Sequence, residues 1–441
     1  MTAVATYRYL GSAVLRPDGL ALQTSGGPLA YPRFSAGFLT TPRAAAGGLL
    51  AVAEGARTRH HRPVDPPGLD PVVTGSRDRL RFESFSGSCG VYARLDVLST
   101  GIDGEIVAHG TTTNVVVNPP LRQALARGGG VDPLRLSAGP DDLTVSTMDD
   151  SVAEKKVPLP PRGLRGFTEV HVLAADFAPR AEITAADAAV FLRRLPAGPD
   201  RSVPAGRTLR LTTRPTPGAV CLAGAGRLTA LRGMRRFAKT LRVYGPPVAA
   251  DSLPTPGTRE LDTDELRLSP MLSPELYRGF SGEGATLTAL ASDHVVDDAD
   301  LVGALLSWDP IIDVAGLATA TGIDSGRVRA ALAQLGTAGR VGYDVSEAAY
   351  FRRVQPYDAG RAERDNPRLV GARALIEAKA VEIDGAVATV RGGDESYRVR
   401  IHPDGQHSCS CPWWTGHHGQ RSPCKHALAV SMLVGGAEVP A

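Results

Sequence analysis

The chain is poor in the features that usually announce an activity. Cysteine and lysine each occur five times in 441 residues, and the formal net charge is only +3. So small an excess over so long a chain gives no global basic field of the kind that marks a nucleic-acid binder. The positive charge is almost all arginine, beside abundant alanine, glycine and proline, so arginine richness reads as compositional bias rather than function. No stretch is apolar enough to span a membrane. The first fifteen residues lack the basic start and continuous apolar core of a secretory leader, so the expected location is cytoplasmic. No internal repeat is evident. There is no phosphate loop, no pair of carboxylates at a catalytic spacing and no serine–histidine signature, which argues against an enzyme.

Against this background the distribution of cysteine is informative. Cys409, Cys411 and Cys424 fall within eighteen residues of one another together with His426. In a reducing compartment thiols stay free, so metal binding is expected over disulfides. Three sulfurs and one imidazole are the ligand set of a closed tetrahedral Zn²⁺ site, which holds a module together and leaves no position for a catalytic water. The local pattern supports this. Tyr397–Ile401 alternates as a half-buried strand does, Pro403-Asp404-Gly405 signals a turn, and 406–411 can return as the partner strand. Cys409 and Cys411, two apart, then face the same side. Ser422-Pro423 resembles a helix start, followed by a short helix from Cys424 to Val434. Zinc should contribute on the order of 10 kcal/mol to folding so small a unit. His417 and His418, in the gap, are alternatives to His426, and Cys89 and Cys221 read as ordinary buried residues.

This C-terminal stretch resembles the SWIM zinc finger, whose pattern is C-x-C, a variable gap, then C-x-H. Cys409, Cys411, Cys424 and His426 fall on its four ligand positions. Pro412-Trp413-Trp414 and the run from Cys424 to Val430 also resemble bacterial members. The resemblance implies binding to DNA or to proteins. It further implies protein partners of the MoxR-type AAA ATPase and von Willebrand A-domain classes, beside which bacterial relatives are often encoded.

The expected architecture is α+β and multidomain, with a mixed α+β N-terminal region, a winged helix-like segment and a small ββα zinc-binding module at the C-terminus. Residues 1–75 read as a helical and loop segment, with a helix over 44–59. The paired histidines at its end, His60 and His61, suit either a solvated helix end or a metal. Residues 79–247 read as an α+β domain and 248–290 as a proline-rich, acidic linker. Residues 297–356 show three helices and a hairpin, which resembles a winged helix. Residues 366–441 carry the finger, and a hairpin over 381–391 with an Asp-Gly turn is expected to extend its sheet.

Two runs are candidate contacts. A helix is expected over 227–242, with Arg232, Arg235, Arg236, Lys239 and Arg242 opposite an apolar stripe and no acid among them; the tail, Thr240 to Tyr244, reads alternatively as a strand. It reads as a surface helix or as a phosphate or acidic-partner contact. In the winged helix-like segment Arg327 and Arg329 lie on the helix that would face a groove, but five nearby aspartates would repel phosphate. The expected function is therefore zinc binding through a structural finger that serves as a protein- or DNA-interaction adaptor. The alternative is a nucleic-acid-processing enzyme with catalytic residues hidden in the N-terminal α+β region.

Overall fold

The computed structural model describes residues 7–9, 14–16, 19–21, 25–28, 34–57, 69–76, 78–106, 110–112, 119–127, 132–139, 142–149, 151–155, 161–195, 200–205, 208–212, 214, 216–222, 224–249, 252–276, 279–280, 284–292, 294–306, 311–353, 366–403, 405–417 and 422–435. His60, His61 and His418 lie outside these residues, as does the Cys221 side chain.

An eight-stranded antiparallel sheet organises the body. Its strand order is Gly110–Thr112, Leu69–Ser76, Arg79–Phe85, Val91–Leu98, Leu266–Leu272, Gly257–Asp262, Thr240–Gly245 and Ala178–Thr184. The strands alternate cleanly. Leu80, Phe82, Val91, Ala93, Leu95, Val97, Leu266 and Leu268 face one side and join the main core. Helix Pro42–Arg57, the 3-10 segment Ala225–Gly233 and a five-stranded sheet that includes Ser35–Leu39 and Ile102–Ile106 complete that core. Residues 42–57 therefore share a core with the region after residue 79 rather than forming a separate segment.

The opposite face carries Arg79, Arg81, Glu83, Tyr92, Arg94 and Asp96, a pattern that normally meets water. Here it is buried. The cover is helix Pro161–Ala175 and the hairpin Val341–Asp344/Ala349–Arg352. Asp344, at the end of the first hairpin strand, accepts from Arg79 at 3.2 Å, Arg81 at 3.0 Å and Arg94 at 2.9 Å. Asp96 lies in ion-pair contact with Arg81 and Arg94, and Glu347 meets Arg267 at 2.7 Å. Arg353, just past the hairpin, pairs with Glu83, and the Arg81 guanidinium stacks 3.8 Å from the Phe351 ring centroid. Burial alone would raise the Asp344 carboxyl, but the charges of Arg94, Arg81 and Arg79 outweigh it and hold the group well below the usual carboxylate range.

Helix Pro161–Ala175 ties these parts together. Thr168 donates to the Gly336 carbonyl at 3.0 Å, and the Tyr343 amide donates to His171 Nδ1 at 2.8 Å. The Glu169 carboxylate accepts from the amides of Ala285 and Thr286 at the start of helix Ala285–Ala289. Burial keeps His171 neutral by lowering its pKa well below the ordinary value, and the nearby Arg353 charge acts in the same direction.

Two expectations are corrected and a third is met. The stretch 257–272, read as linker, forms two central strands. Its one proline is Pro270, and Glu260 and Arg267 reach the buried network through Ser346 and Glu347. The basic run 227–242 is not one helix but the 3-10 segment Ala225–Gly233, a turn and strand Thr240–Gly245, the last being the alternative expected for its tail. Its missing acids come from other strands: Arg242 pairs with Glu182, Glu260 and Asp262. The segment after residue 294 does contain three helices, Val295–Leu305, Val314–Thr321 and Ser325–Thr337, followed by the hairpin. Asp324 caps the third through the amides of Gly326 and Arg327.

Removing the Asp344 carboxylate takes a shared buried partner from Arg79, Arg81 and Arg94, so Asp344→Ala is expected to cost about 3–5 kcal/mol of stability at neutral pH. A depressed folded-state pKa means that this contribution is complete above the unfolded value of about 3.9 and is lost as pH falls below it. Denaturant unfolding of both proteins should show the gap at pH 7 and its narrowing in acid. Equal midpoints at pH 7 would contradict the role given to Asp344.

Candidate metal centre

The C-terminal module is a four-stranded antiparallel sheet with two helices, the ββα finger extended by the hairpin expected over 381–391. Its strand order is Val381–Asp384, Val387–Gly392, Glu395–Ile401 and His407–Cys409. The Asp384-Gly385 turn joins the first pair, with Gly385 at φ +55°, a left-handed conformation that glycine adopts without strain. Val399 pairs with Cys409, which sets the first thiol on the inner face beside Ala388, Val390 and Val399. Cys411 follows just before helix Pro412–His417. Cys424 immediately precedes helix Lys425–Gly435, its carbonyl accepting the Leu428 amide at 3.0 Å, and His426 lies in the first turn. The irregular start of that helix lets Cys424 and His426 converge.

The ligand atoms of Cys409, Cys411, Cys424 and His426 all lie within 4.8 Å of one another, and all four residues are buried. The His426 ring packs against Tyr397 with centroids 4.5 Å apart and points Nδ1 at Cys409 Sγ, 3.9 Å away. Gly392 closes over the other side of the ring, where a Cβ would lie 3.1 Å from Nε2. Each sulfur accepts one backbone amide: Cys411 N to Cys409, Trp414 N to Cys411 and Ala427 N to Cys424, at 3.4, 3.5 and 3.4 Å. Such donors favour thiolate.

Without a cation the three thiols cannot all ionise. The hydrogen bond from Cys409 pulls Cys424 down to about 4. Donating that bond, together with burial, pushes Cys409 above the usual thiol range, and burial pushes Cys411 up. A divalent soft cation removes the conflict by ionising all three. The donor set, its spacing and its burial fit a closed, four-coordinate zinc site. His417 sits outside the cluster, stacked on Trp413.

The finger is anchored to the body. One side of helix Lys425–Gly435 faces the ligands. The other, through Leu428, Ala429 and Met432, packs on Leu287, Leu290, Val295, Leu369 and Ala372. Arg368 donates to the Ser422 hydroxyl and the Pro423 carbonyl and stacks over Trp413. Gly284, at φ +89°, touches the ligand loop so closely that a Cβ there would lie 1.8 Å from Ser422 Cβ. Because Glu169 caps the helix after Gly284, the finger and the helix over the large sheet meet at one turn.

The remaining candidates lie away from the metal ligands. Arg232, Arg235, Arg236 and Lys239 are exposed on the body, with Lys239 paired to Asp264. Arg327 is held by Asp298 at 2.7 Å and Arg329 is exposed. They do not join the metal cluster. A small cavity of about 20 Å³ in the body is lined by Leu49, Val52, Phe82, Leu121 and other apolar side chains, with no converging acids. Sequence reading missed the Asp344 network, because alternating charges on strands signal a solvated face, and helix Pro161–Ala175, whose signal was the spacing of Phe167, Val170 and Ala174.

Residues 397–435 match the SWIM zinc finger. No curated protein matches the chain. Solved structures similar in part include a PCNA2-PCNA3 complex from Sulfolobus tokodaii, at 8% identity and TM-score 0.36 over 54% of this chain and 98% of that one. Another is the C-terminal region of FEN-1 bound to A. fulgidus PCNA, at 9% identity and TM-score 0.34 over 54% and 97%. No helix among the described residues is long and apolar enough to cross a membrane.

Two outcomes test the centre. Cys411→Ser should lower bound zinc, read by metal analysis of the purified protein, and expose the finger to proteolysis; unchanged zinc content would remove Cys411 from the ligand set. Gly284→Ala should loosen the finger from the body, because both its backbone conformation and the Ser422 contact forbid a side chain. Limited proteolysis would then cut near the ligand loop faster than in the parent, whereas identical cleavage would mean that the contact does not hold the finger.

Proposed function

We propose that the protein is a non-enzymatic adaptor, in which a zinc-held finger is fixed to a large β-sheet body and offers its outer sheet face to a protein partner. The observation that carries this reading is the closure of the metal site. Four buried protein ligands leave no coordination position for substrate or water, so the metal shapes a surface rather than reacting.

The finger helix is packed on both sides, which makes the outer face of the sheet the available surface. Strand pairing lines up Glu382, Thr389 and Arg398 in one row and Asp384, Val387 and Arg400 in the next, all exposed. Charges of both signs around an exposed valine suit a protein surface of complementary pattern. A phosphate backbone would meet Glu382 and Asp384 as repulsion. The winged helix-like segment supports the same reading. Its hairpin is buried on the large sheet, and most of helix Ser325–Thr337 from Val328 onward is buried as well, so the part that would enter a DNA groove is engaged within the chain. The MoxR-type ATPase and von Willebrand A-domain classes remain the proposed partners, and the cytoplasm the proposed location.

A photo-crosslinking amino acid at position 387 of the full-length, zinc-loaded protein tests this in the producing organism. One protein should be captured, and Arg398→Glu with Arg400→Glu should abolish capture while zinc content stays unchanged. Capture of nucleic acid alone, or capture indifferent to the two substitutions, would count against the adaptor surface.

A further inference from the structure

We infer that the body carries a second contact surface, distinct from the finger, that takes the sugar–phosphate backbone of a nucleic acid. It is built where helix Ala185–Arg193 meets the 3-10 segment Ala225–Gly233 and the turn that follows. Arg193 and Arg194 are exposed at the end of the helix, and Arg232, Arg235 and Arg236 are exposed on the other element. Arg232 Nε donates to the Leu192 carbonyl at 3.0 Å, one residue before Arg193, so the fold brings the two arginine groups to one place. The sequence run supplied three of these side chains, and only the structure adds Arg193 and Arg194.

The charge is uncompensated. Across the chain 49 cations stand against 46 acids, so an average patch is mixed. None of these five arginines forms an ion pair among the described residues, whereas the neighbours Lys239 and Arg242 do, with Asp264 and with Glu182, Glu260 and Asp262. The acid on the same helix, Asp187, lies at its far end and is engaged by Thr184 at the N-cap. A helix C-terminus accounts for Arg193 in its last turn, Arg194 at its C-cap and Arg232, which meets the Leu192 carbonyl, but not for Arg235 and Arg236. Like charges crowded together repel, and no ion pair among the described residues offsets that cost.

The geometry favours phosphate. Arg232 is tethered through Nε, leaving its two Nη groups for a ligand. The Arg236 guanidinium rests over the Phe237 ring, 4.7 Å from the centroid. Planar forks held in place this way lose less freedom on pairing with phosphate than free side chains do. An acidic protein would bring apolar anchors to its interface, and the helix offers only Val190 as an exposed large apolar residue there, at 36% exposure.

The test uses full-length, zinc-loaded protein and a fluorescein-labelled, mixed-sequence DNA duplex, with binding followed by anisotropy between about 50 and 200 mM salt. Five phosphate contacts predict a slope of log K against log salt of about −4 to −5. The variant Arg193→Gln/Arg235→Gln/Arg236→Gln, all exposed positions, should keep the parent's melting temperature, reduce the slope by about 3 and weaken low-salt binding at least about tenfold. Arg398→Gln/Arg400→Gln in the finger should leave duplex binding unchanged, which separates this surface from the adaptor face. The inference is overturned by an absence of binding at the lowest salt, by an unaltered slope in the triple variant, or by loss of binding in the finger variant instead. It is equally overturned if polyglutamate displaces the duplex at equal charge, which would assign the patch to an acidic protein.

Discussion

Three buried sulfurs and an imidazole nitrogen within 4.8 Å of one another form a donor set that a divalent cation would hold together. Ionising one thiol pushes its neighbours toward the protonated form, and the amides aimed at each sulfur favour the opposite. A divalent metal satisfies all of them at once, and by doing so closes the loop between the strand pair and the helix. The finger's own apolar complement is small, essentially Ala388, Val390, Val399, Ala427 and Val430. The metal therefore does for this module what a larger core does for the body.

A second constraint of the same kind holds the body together. A sheet whose back face carries arginines and aspartates is stable without water only if every charge meets a partner in good geometry. Asp344 supplies the central one, from a hairpin more than 240 residues later in the chain than the strands it meets. The hairpin is thereby committed to the sheet. Helix Pro161–Ala175 then links this interface through Glu169 to the turn at Gly284, on which the ligand loop rests. Metal centre, helix and ionic network form one connected path, and the mixed outer side of the finger and the arginines of the body lie exposed outside it.

The legible part of the sequence was the local part. Ligand spacing, the turn at Gly385, the cap at Asp324 and the alternation of Tyr397–Ile401 each depend on residues a few positions apart, and the structure contains all of them. What was misread depends on distant partners. Arg242 appeared to lack acids because Glu182, Glu260 and Asp262 lie 18 to 60 residues away. Strands Gly257–Asp262 and Leu266–Leu272 looked like linker because their polar residues point into a buried network rather than into water. Helix Pro161–Ala175 began in a proline- and glycine-containing stretch that masked its periodicity. Burial of charge is a tertiary event, and single-sequence patterns price charge as exposure.

The central claim is that Cys409, Cys411, Cys424 and His426 together bind one zinc ion. X-ray absorption at the zinc edge of the purified full-length protein tests it most directly. The account predicts one zinc per chain with three sulfur neighbours at about 2.3 Å and one nitrogen at about 2.0 Å. A shell containing water or carboxylate oxygen, or fewer than three sulfurs, would contradict a closed structural centre and with it the reading built upon that centre.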